Sequence, residues 1–297
     1  MGKDINNDNS FMIRFRSSVI LMAVAIAAMV FGEYVLFGVI VLISLIGLME
    51  LYRVVGVNRS KAGAVGYGIA VLYFIYQAFT YFIMPEINLG DFMRHKVLFN
   101  IWNNADLIII ALLIIILLAV YVLTFPKYNS EQITMVFFGF FYVVMALMYI
   151  FKTRQISGGE YAVWLIFIGS WGSDTMAYVV GRKLGKTKIA PKLSPKKSLE
   201  GLIGGIVGAA LIGIIFAVIF RTQLLESFSN PILIFGLTGA IGSVVSQIGD
   251  MAASAIKRNK GIKDYGTLIP GHGGILDRFD SVIFIAPIVY FMLTIFA

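Results

Sequence analysis

Two carboxylates three residues apart, Asp277 and Asp280, follow directly on a turn of proline, glycine and histidine, Pro270-Gly271-His272-Gly273-Gly274. A run of cations stands before the turn: Lys257, Arg258, Lys260 and Lys263, with Asp264 beside the last. Phosphates are held by cationic groups and backbone N–H donors. A hard divalent cation takes one or two carboxylates and completes its shell with phosphate oxygens. The stretch from Ser254 to Asp280 supplies both. It is the longest run of mixed charge and glycine in the chain. A second basic region begins at Gly181-Arg182-Lys183 and ends in the compact Ser194-Pro195-Lys196-Lys197-Ser198-Leu199-Glu200-Gly201. Two further acids, Asp174 and Asp250, stand inside otherwise apolar runs.

The remainder of the chain must place these groups. Of its 297 residues 59% are hydrophobic and 13% charged, against about 25% charged in an ordinary soluble domain. That ratio predicts an integral membrane protein. The chain has no cysteine, which excludes a disulfide framework and thiolate chemistry. The net charge of +8 is read as a basic membrane face rather than as a surface for nucleic acid. A spanning helix needs about 20 apolar residues. Runs of this kind lie near 17–32, 34–51, 64–84, 107–125, 133–150, 161–180, 201–220, 231–253 and 281–296. The expectation is an all-α polytopic protein of about nine transmembrane helices, the first of them retained rather than cleaved. Residues 1–155 form helices 1–5, a scaffold for a lipid cavity or dimer contacts. Residues 156–297 form helices 6–9 and carry the chemistry.

Orientation follows from the cations, which concentrate in cytoplasmic loops. With the N-terminus inside, the basic loops at 182–197 and 257–263 fall inside. Only Arg94, Lys96, Lys152, Arg154 and Arg221 fall outside. Asp174 and Asp250 then lie near the cytoplasmic ends of their spans, level with Asp277 and Asp280. Each of the first two sits on a small, polar helix face: Ser170, Ser173, Asp174, Ala177 and Gly181 in one, Gly239, Gly242, Ser246 and Gly249 in the other. Small faces let helices approach closely, and a charge in the bilayer marks function by default. One such acid alone could be an interfacial group reaching water. Two converging on a second acid pair favour a site. Asp277 and Asp280 alone would read as an acidic helix start favoured by the helix dipole, and a lone His272 as a structural hydrogen-bonder.

From Ser254 to Asp280 the chain resembles the phosphatidate cytidylyltransferase (CDP-diacylglycerol synthase) family. That family's pattern is met at Ser254, Ile256, Lys257, Arg258, Lys263, Asp264, Gly266, Ile269, Pro270, His272, Gly273, Gly274, Ile275, Asp277, Arg278, Phe279 and Asp280. A second block of the family is met at Asp174, Ala177-Tyr178, Gly181-Arg182, Gly185-Lys186 and Ser194 to Gly201, so the resemblance covers about residues 160–297.

The resemblance implies a cytidylyl transfer from CTP to phosphatidic acid at the cytoplasmic side of a cell (inner) membrane, in phospholipid biosynthesis. The expected metal ligands are Asp174, Asp250, Asp277 and Asp280, holding Mg²⁺ or Mn²⁺, two ions in the fullest form. Four carboxylates without cysteine suit such hard cations over zinc. Asp250, Asp277, Asp280 and His272 are the catalytic candidates. Ser194, Lys196, Lys197, Lys257, Arg258, Lys263, Asp264, Gly273, Gly274 and Arg278 are the phosphate- and substrate-binding candidates. The family and the glycine-rich faces are compatible with a homodimer. Two alternatives stand beside this reading: a related CTP-dependent enzyme with another lipid acceptor, and a cation transporter, which would carry acids nearer the bilayer midplane.

Overall fold

The structure, a computed structural model, describes residues 2–84 and 96–296. Arg94 and the rest of 85–95, from the expected outer loop, lie outside the described residues. So do the side chains of Lys3, Arg14 and Lys96. The chain is helical almost throughout: α1 Gly2–Phe31, α2 Glu33–Val55, α3 Lys61–Ile83, α4 Lys96–Asn103, α5 Ala105–Leu123, α6 Ser130–Gln155, α7 Gly159–Leu184, α8 Leu199–Ile219, α9 Pro231–Asn259 and α10 Leu276–Phe296. Eight of these, α2, α3 and α5 to α10, are long and apolar enough to cross a membrane. The run expected at 17–32 is the apolar half of α1. Its apolar stretch, Val19–Phe31, is too short to count among the eight. Gly32 at φ 58° and Glu33 at φ 35° end α1 and set off α2.

Strand is confined, among the described residues, to one small antiparallel pair, β1 Lys188–Ala190 and β2 Ser194–Ser198, with Lys188 opposite Ser198. The all-α expectation did not include it. It forms inside the second basic region, where β2 leads straight into α8.

Two compact units emerge: residues 1–47 with 145–297, and residues 48–144. In the second, Tyr52 is fully buried and donates to the Val136 carbonyl at 2.8 Å, and Tyr73 meets Phe140 edge-on at 5.6 Å. Asn129 and Gln132 form a capping box at the start of α6. None of the candidate site residues lies in this unit.

The first unit holds every one of them. Its frame is the packing of α7 on α8, α8 on α9 and α9 on α10. Small residues make these approaches possible. A side chain at Gly204 would strike Val180, one at Gly208 would strike Met176, and one at Gly201 would meet the Ala177 carbonyl at 2.9 Å. Three polar groups buried in the same seam satisfy one another. Ser173 and Ser243 share a hydrogen bond of 2.6 Å, and the Gln247 amide donates to Ser243 and to the Leu202 carbonyl, each at 3.3 Å. In lipid such bonds replace water as partner, which fixes helix rotation as well as distance.

Gly249, next to Asp250, shows how tightly α9 and α10 fit. A Cβ there would lie 2.7–2.8 Å from Phe284. Overpacking of this kind costs about 1–3 kcal/mol. Gly249→Val is therefore expected to lower the midpoint of thermal unfolding in detergent, and an unchanged midpoint would show that Phe284 yields freely.

Candidate active site

Each acid reaches the site by a different local device. In α7 a wide π turn, Ile168–Gly172, ends two residues before Asp174. Such turns are common at functional positions because they rotate the residues that follow. Asp250 sits late in α9, whose start is fixed by Pro231 in the first turn and by the Asn230 side chain accepting from Leu233 N–H at 3.3 Å. Asp277 and Asp280 occupy the first turns of α10, after a loop that turns back through Gly271 (φ 75°) and Gly273 (φ 86°). Gly273 is required twice over: by its left-handed backbone, and because a Cβ would sit 2.9 Å from an Asp277 oxygen.

Asp277 and Asp280 are both buried, but only Asp277 is saturated. Its Oδ1 accepts from Lys257 Nζ at 2.8 Å, and its Oδ2 accepts from the N–H groups of Tyr265 at 2.7 Å and Gly274 at 2.9 Å. The free N–H donors expected from the glycine turn are thus partly spent on the chain's own carboxylate. Asp277 clamps the 260–275 loop onto the end of α9. Lys257 completes the clamp, lying 3.9 Å from Asp280 and 5.3 Å above the Tyr265 ring. Burial, and then the Asp277 and Asp280 carboxylates, push the Tyr265 phenol up from its ordinary value. Its hydroxyl donates to the Ala253 carbonyl at 3.2 Å. Tyr265 was absent from the sequence candidates because its backbone does the binding, and a backbone donor leaves no mark on residue type.

Asp174, Asp250 and Asp280 form the other part of the cluster. Asp250 repels both Asp174 and Asp280, and Asp174 repels Asp280. Lys197 offsets part of this, pairing with Asp250 at 2.6 Å. Among the described residues no three acids or histidines are gathered in ready-made metal-ligand geometry. The donor set nevertheless fits a hard cation in kind: mutually repelling carboxylate oxygens, with lysines standing where positive charge is needed.

Three cavities surround these groups. One of about 200 Å³ is lined by Asp174, Asp277, Asp280, His272, Arg278, Trp171, and Ser17 of α1. One of about 650 Å³ is lined by Asp174 and Asp250 together with Arg182, Ser194, Lys196 and Lys197. Asp174 lines both. A third, of about 470 Å³, brings Lys263, Asp264 and Gly273 together with His272 and Arg278. Arg278 has a buried Nε with no hydrogen-bond partner among the described residues, and its side chain lines two of the three cavities. Arg258 lines none of them: it is exposed, and donates to the Ile262 carbonyl at 3.3 Å, closing the end of α9.

In the motif Ser194 to Gly201, Ser194, Lys196 and Lys197 line the larger cavity, and Ser198 and Gly201 border it as well. Ser198 caps α8 by accepting from Gly201 N–H at 3.2 Å, and Glu200 accepts from the N–H groups of Lys186 and Thr187 at 3.0–3.2 Å. Ser198 therefore both caps the helix and borders the cavity.

Helical membrane architecture, acids at one end of three spans with Asp277 and Asp280 buried among them, and flanking cations make a candidate site for a phosphorylated substrate. The chain belongs to the cytidylyltransferase family, whose model matches residues 12–296. It is similar to the phosphatidate cytidylyltransferase of Bacillus subtilis (strain 168), at 32% identity over 192 residues, 63% of this chain and 68% of the relative. It is similar also to the phosphatidate cytidylyltransferase of Staphylococcus haemolyticus (strain JCSC1435), at 29% identity over 281 residues, 95% of this chain and 98% of the relative.

Proposed function

We propose that the chain catalyses CTP + phosphatidic acid → CDP-diacylglycerol + pyrophosphate. A phosphate oxygen of the lipid attacks the α-phosphorus of CTP, the bond from that phosphorus to the bridging oxygen breaks, and pyrophosphate leaves. The observation that carries this reading is the meeting at Asp174 of two cavities of unlike kind. The larger is basic and opens beside the hairpin. The smaller, with Arg278 and His272, borders the apolar face of α1 through Leu21 and Met22. A soluble triphosphate suits the first and a membrane-borne phosphate the second.

Phosphoryl chemistry of this type asks chiefly for alignment and for neutralisation of charge on the attacking and leaving oxygens. Lys196 and Lys197 are placed to hold the triphosphate, and Arg278 with His272 the lipid phosphate. Lys263 and Asp264 border that second group from the exposed side. Asp174, Asp250 and Asp280 would hold a divalent cation, Mg²⁺ or Mn²⁺, in one or two copies. It would supply further positive charge along the phosphates. Asp277 serves as the clamp that fixes Lys257 and the glycine turn. The basic loops 182–197 and 257–263 support a cytoplasmic face for this end of the spans by the positive-inside rule, in a cell membrane.

The test is pyrophosphate release by purified protein in detergent, with phosphatidic acid and each of CTP, ATP, GTP and UTP, with Mg²⁺ and with a chelator. Release only with CTP, lipid and Mg²⁺ together is expected. Release independent of the lipid, or none with CTP from folded protein, would sink the reading.

A further inference from the structure

One helix at the site has no part in the proposed chemistry. The Ser17 hydroxyl of α1 donates to the Pro270 carbonyl at 3.1 Å, pinning α1 to the glycine turn, and Ser17, Leu21 and Met22 line the carboxylate cavity. From there a second, wholly apolar cavity of about 140 Å³ continues along the same helix, lined by Met22, Ala25, Ile26 and Met29 with Trp164, Phe167 and Trp171 of α7. Met22 and Trp171 belong to both cavities, so the two are contiguous.

The α7 side of this groove is a continuous aromatic wall. Trp164 and Phe167 lie 6.5 Å apart, Phe167 and Trp171 4.9 Å, and Trp171 and Phe279 6.2 Å, ending beside Asp280. The residues recur at helical spacing on both sides, Met22, Ala25, Ile26 and Met29 against Trp164, Phe167 and Trp171, so each helix turns one stripe to the groove. Beyond Met29 and Trp164 the lining changes: the next cavity along shares those two residues but adds Arg154 and Glu160. The apolar stretch is thus bounded by polar groups at both ends. From Ser17 to Met29 it runs about 18 Å at 1.5 Å per residue. One leaflet of hydrocarbon is about 15 Å thick, half of a core of about 30 Å.

Resting on the reaction proposed above, we infer that this groove between α1 and α7 holds one acyl chain of the lipid acceptor. The lipid phosphate lies at Arg278 and the tail ends near Met29 and Trp164. The occupant is fixed by what the groove joins: a phosphate-type site at one end, an aromatic wall along its length, and a run matched to a single leaflet. Ala25, the smallest side chain in the lining, then acts as the width gate and Met29 as the floor.

The experiment compares Ala25→Phe, which places a ring in the groove, with Ala23→Phe, which places one on the exposed side of α1. Each is assayed for CTP-dependent pyrophosphate release with dipalmitoyl and with dihexanoyl phosphatidic acid. In Ala25→Phe we expect kcat/KM for the long-chain lipid to fall about 10–200-fold, the scale on which apolar pockets discriminate size. The short-chain lipid and the KM for CTP should change less than about 2-fold, and Ala23→Phe should match the parent on both lipids. An equal loss on both lipids, or no loss on either, overturns the groove. A parent enzyme inactive on both lipids would instead strike the reaction itself. Should Ala25→Phe fail to fold, a phosphatidic acid bearing a photoreactive group at the end of one acyl chain decides the matter on the parent protein. Cross-links within 22–31 and 161–171 support the groove, and cross-links only elsewhere overturn it.

Discussion

Asp280→Asn is expected to lower CTP-dependent turnover by about 10²–10³-fold, the scale of losing one preorganised electrostatic contact in an active site, while leaving the protein no less stable than its parent. The two effects share one cause. Asp280 is buried and repelled by both Asp250 and Asp174. Among its contacts, one oxygen accepts from the Ser281 N–H at 2.8 Å, and Lys257 stands 3.9 Å from the other. Asparagine keeps the acceptor for Ser281 and removes the repelled charge. The folded protein is relieved of a strain that the reaction needs, the usual relation at a site that trades stability for activity. Thermal unfolding in detergent and pyrophosphate release, measured on the same preparation, check both halves. A turnover within about 3-fold of the parent, well short of the loss expected for such a contact, would remove Asp280 from the chemistry. A clear drop in the unfolding midpoint would mean that its charge supports the fold.

The same substitution at Asp277 would give a different result, and residue type does not say so. In the sequence the two acids are equivalent: same side chain, same helix start, same motif. They diverge only because the loop returns the N–H groups of Tyr265 and Gly274 to one of them. Acids in apolar runs, small faces beside them and cations at the loop ends are local properties, so Asp174 and Asp250 were visible as candidate site residues. Lys197 was visible as a cation, though its pairing with Asp250 depends on a two-stranded turn that a stretch rich in lysine and proline does not announce. Arg258 shows the opposite case. It sits in the most specific motif of the chain and yet closes a helix end. The part played by α1 was least legible, since Ser17, Met22 and Ala25 are ordinary residues of an apolar helix. Only the placement of α1 against the aromatic wall of α7 distinguishes them.

Lys257→Met should be the most damaging single change to stability. The Lys257 side chain is 11% exposed and its partner carboxylate on Asp277 1%. Removing one member of a buried pair strands the other charge and costs about 3–5 kcal/mol, whereas replacing both members is often neutral. Asp277→Asn added to Lys257→Met should therefore recover most of the lost stability, because asparagine keeps an oxygen for the Tyr265 and Gly274 N–H groups and carries no charge. Activity should not return with it. The double variant lacks the cation that stands beside Asp280, so the cluster of Asp174, Asp250 and Asp280 keeps Lys197 but loses the counter-charge nearest Asp280. A double-mutant cycle on unfolding free energy, with turnover recorded for each of the four proteins, separates these outcomes. Additive destabilisation would show that Lys257 and Asp277 act independently and that the clamp is carried by the backbone donors alone. Restored turnover in the double variant would show that the pair serves only to fold the loop.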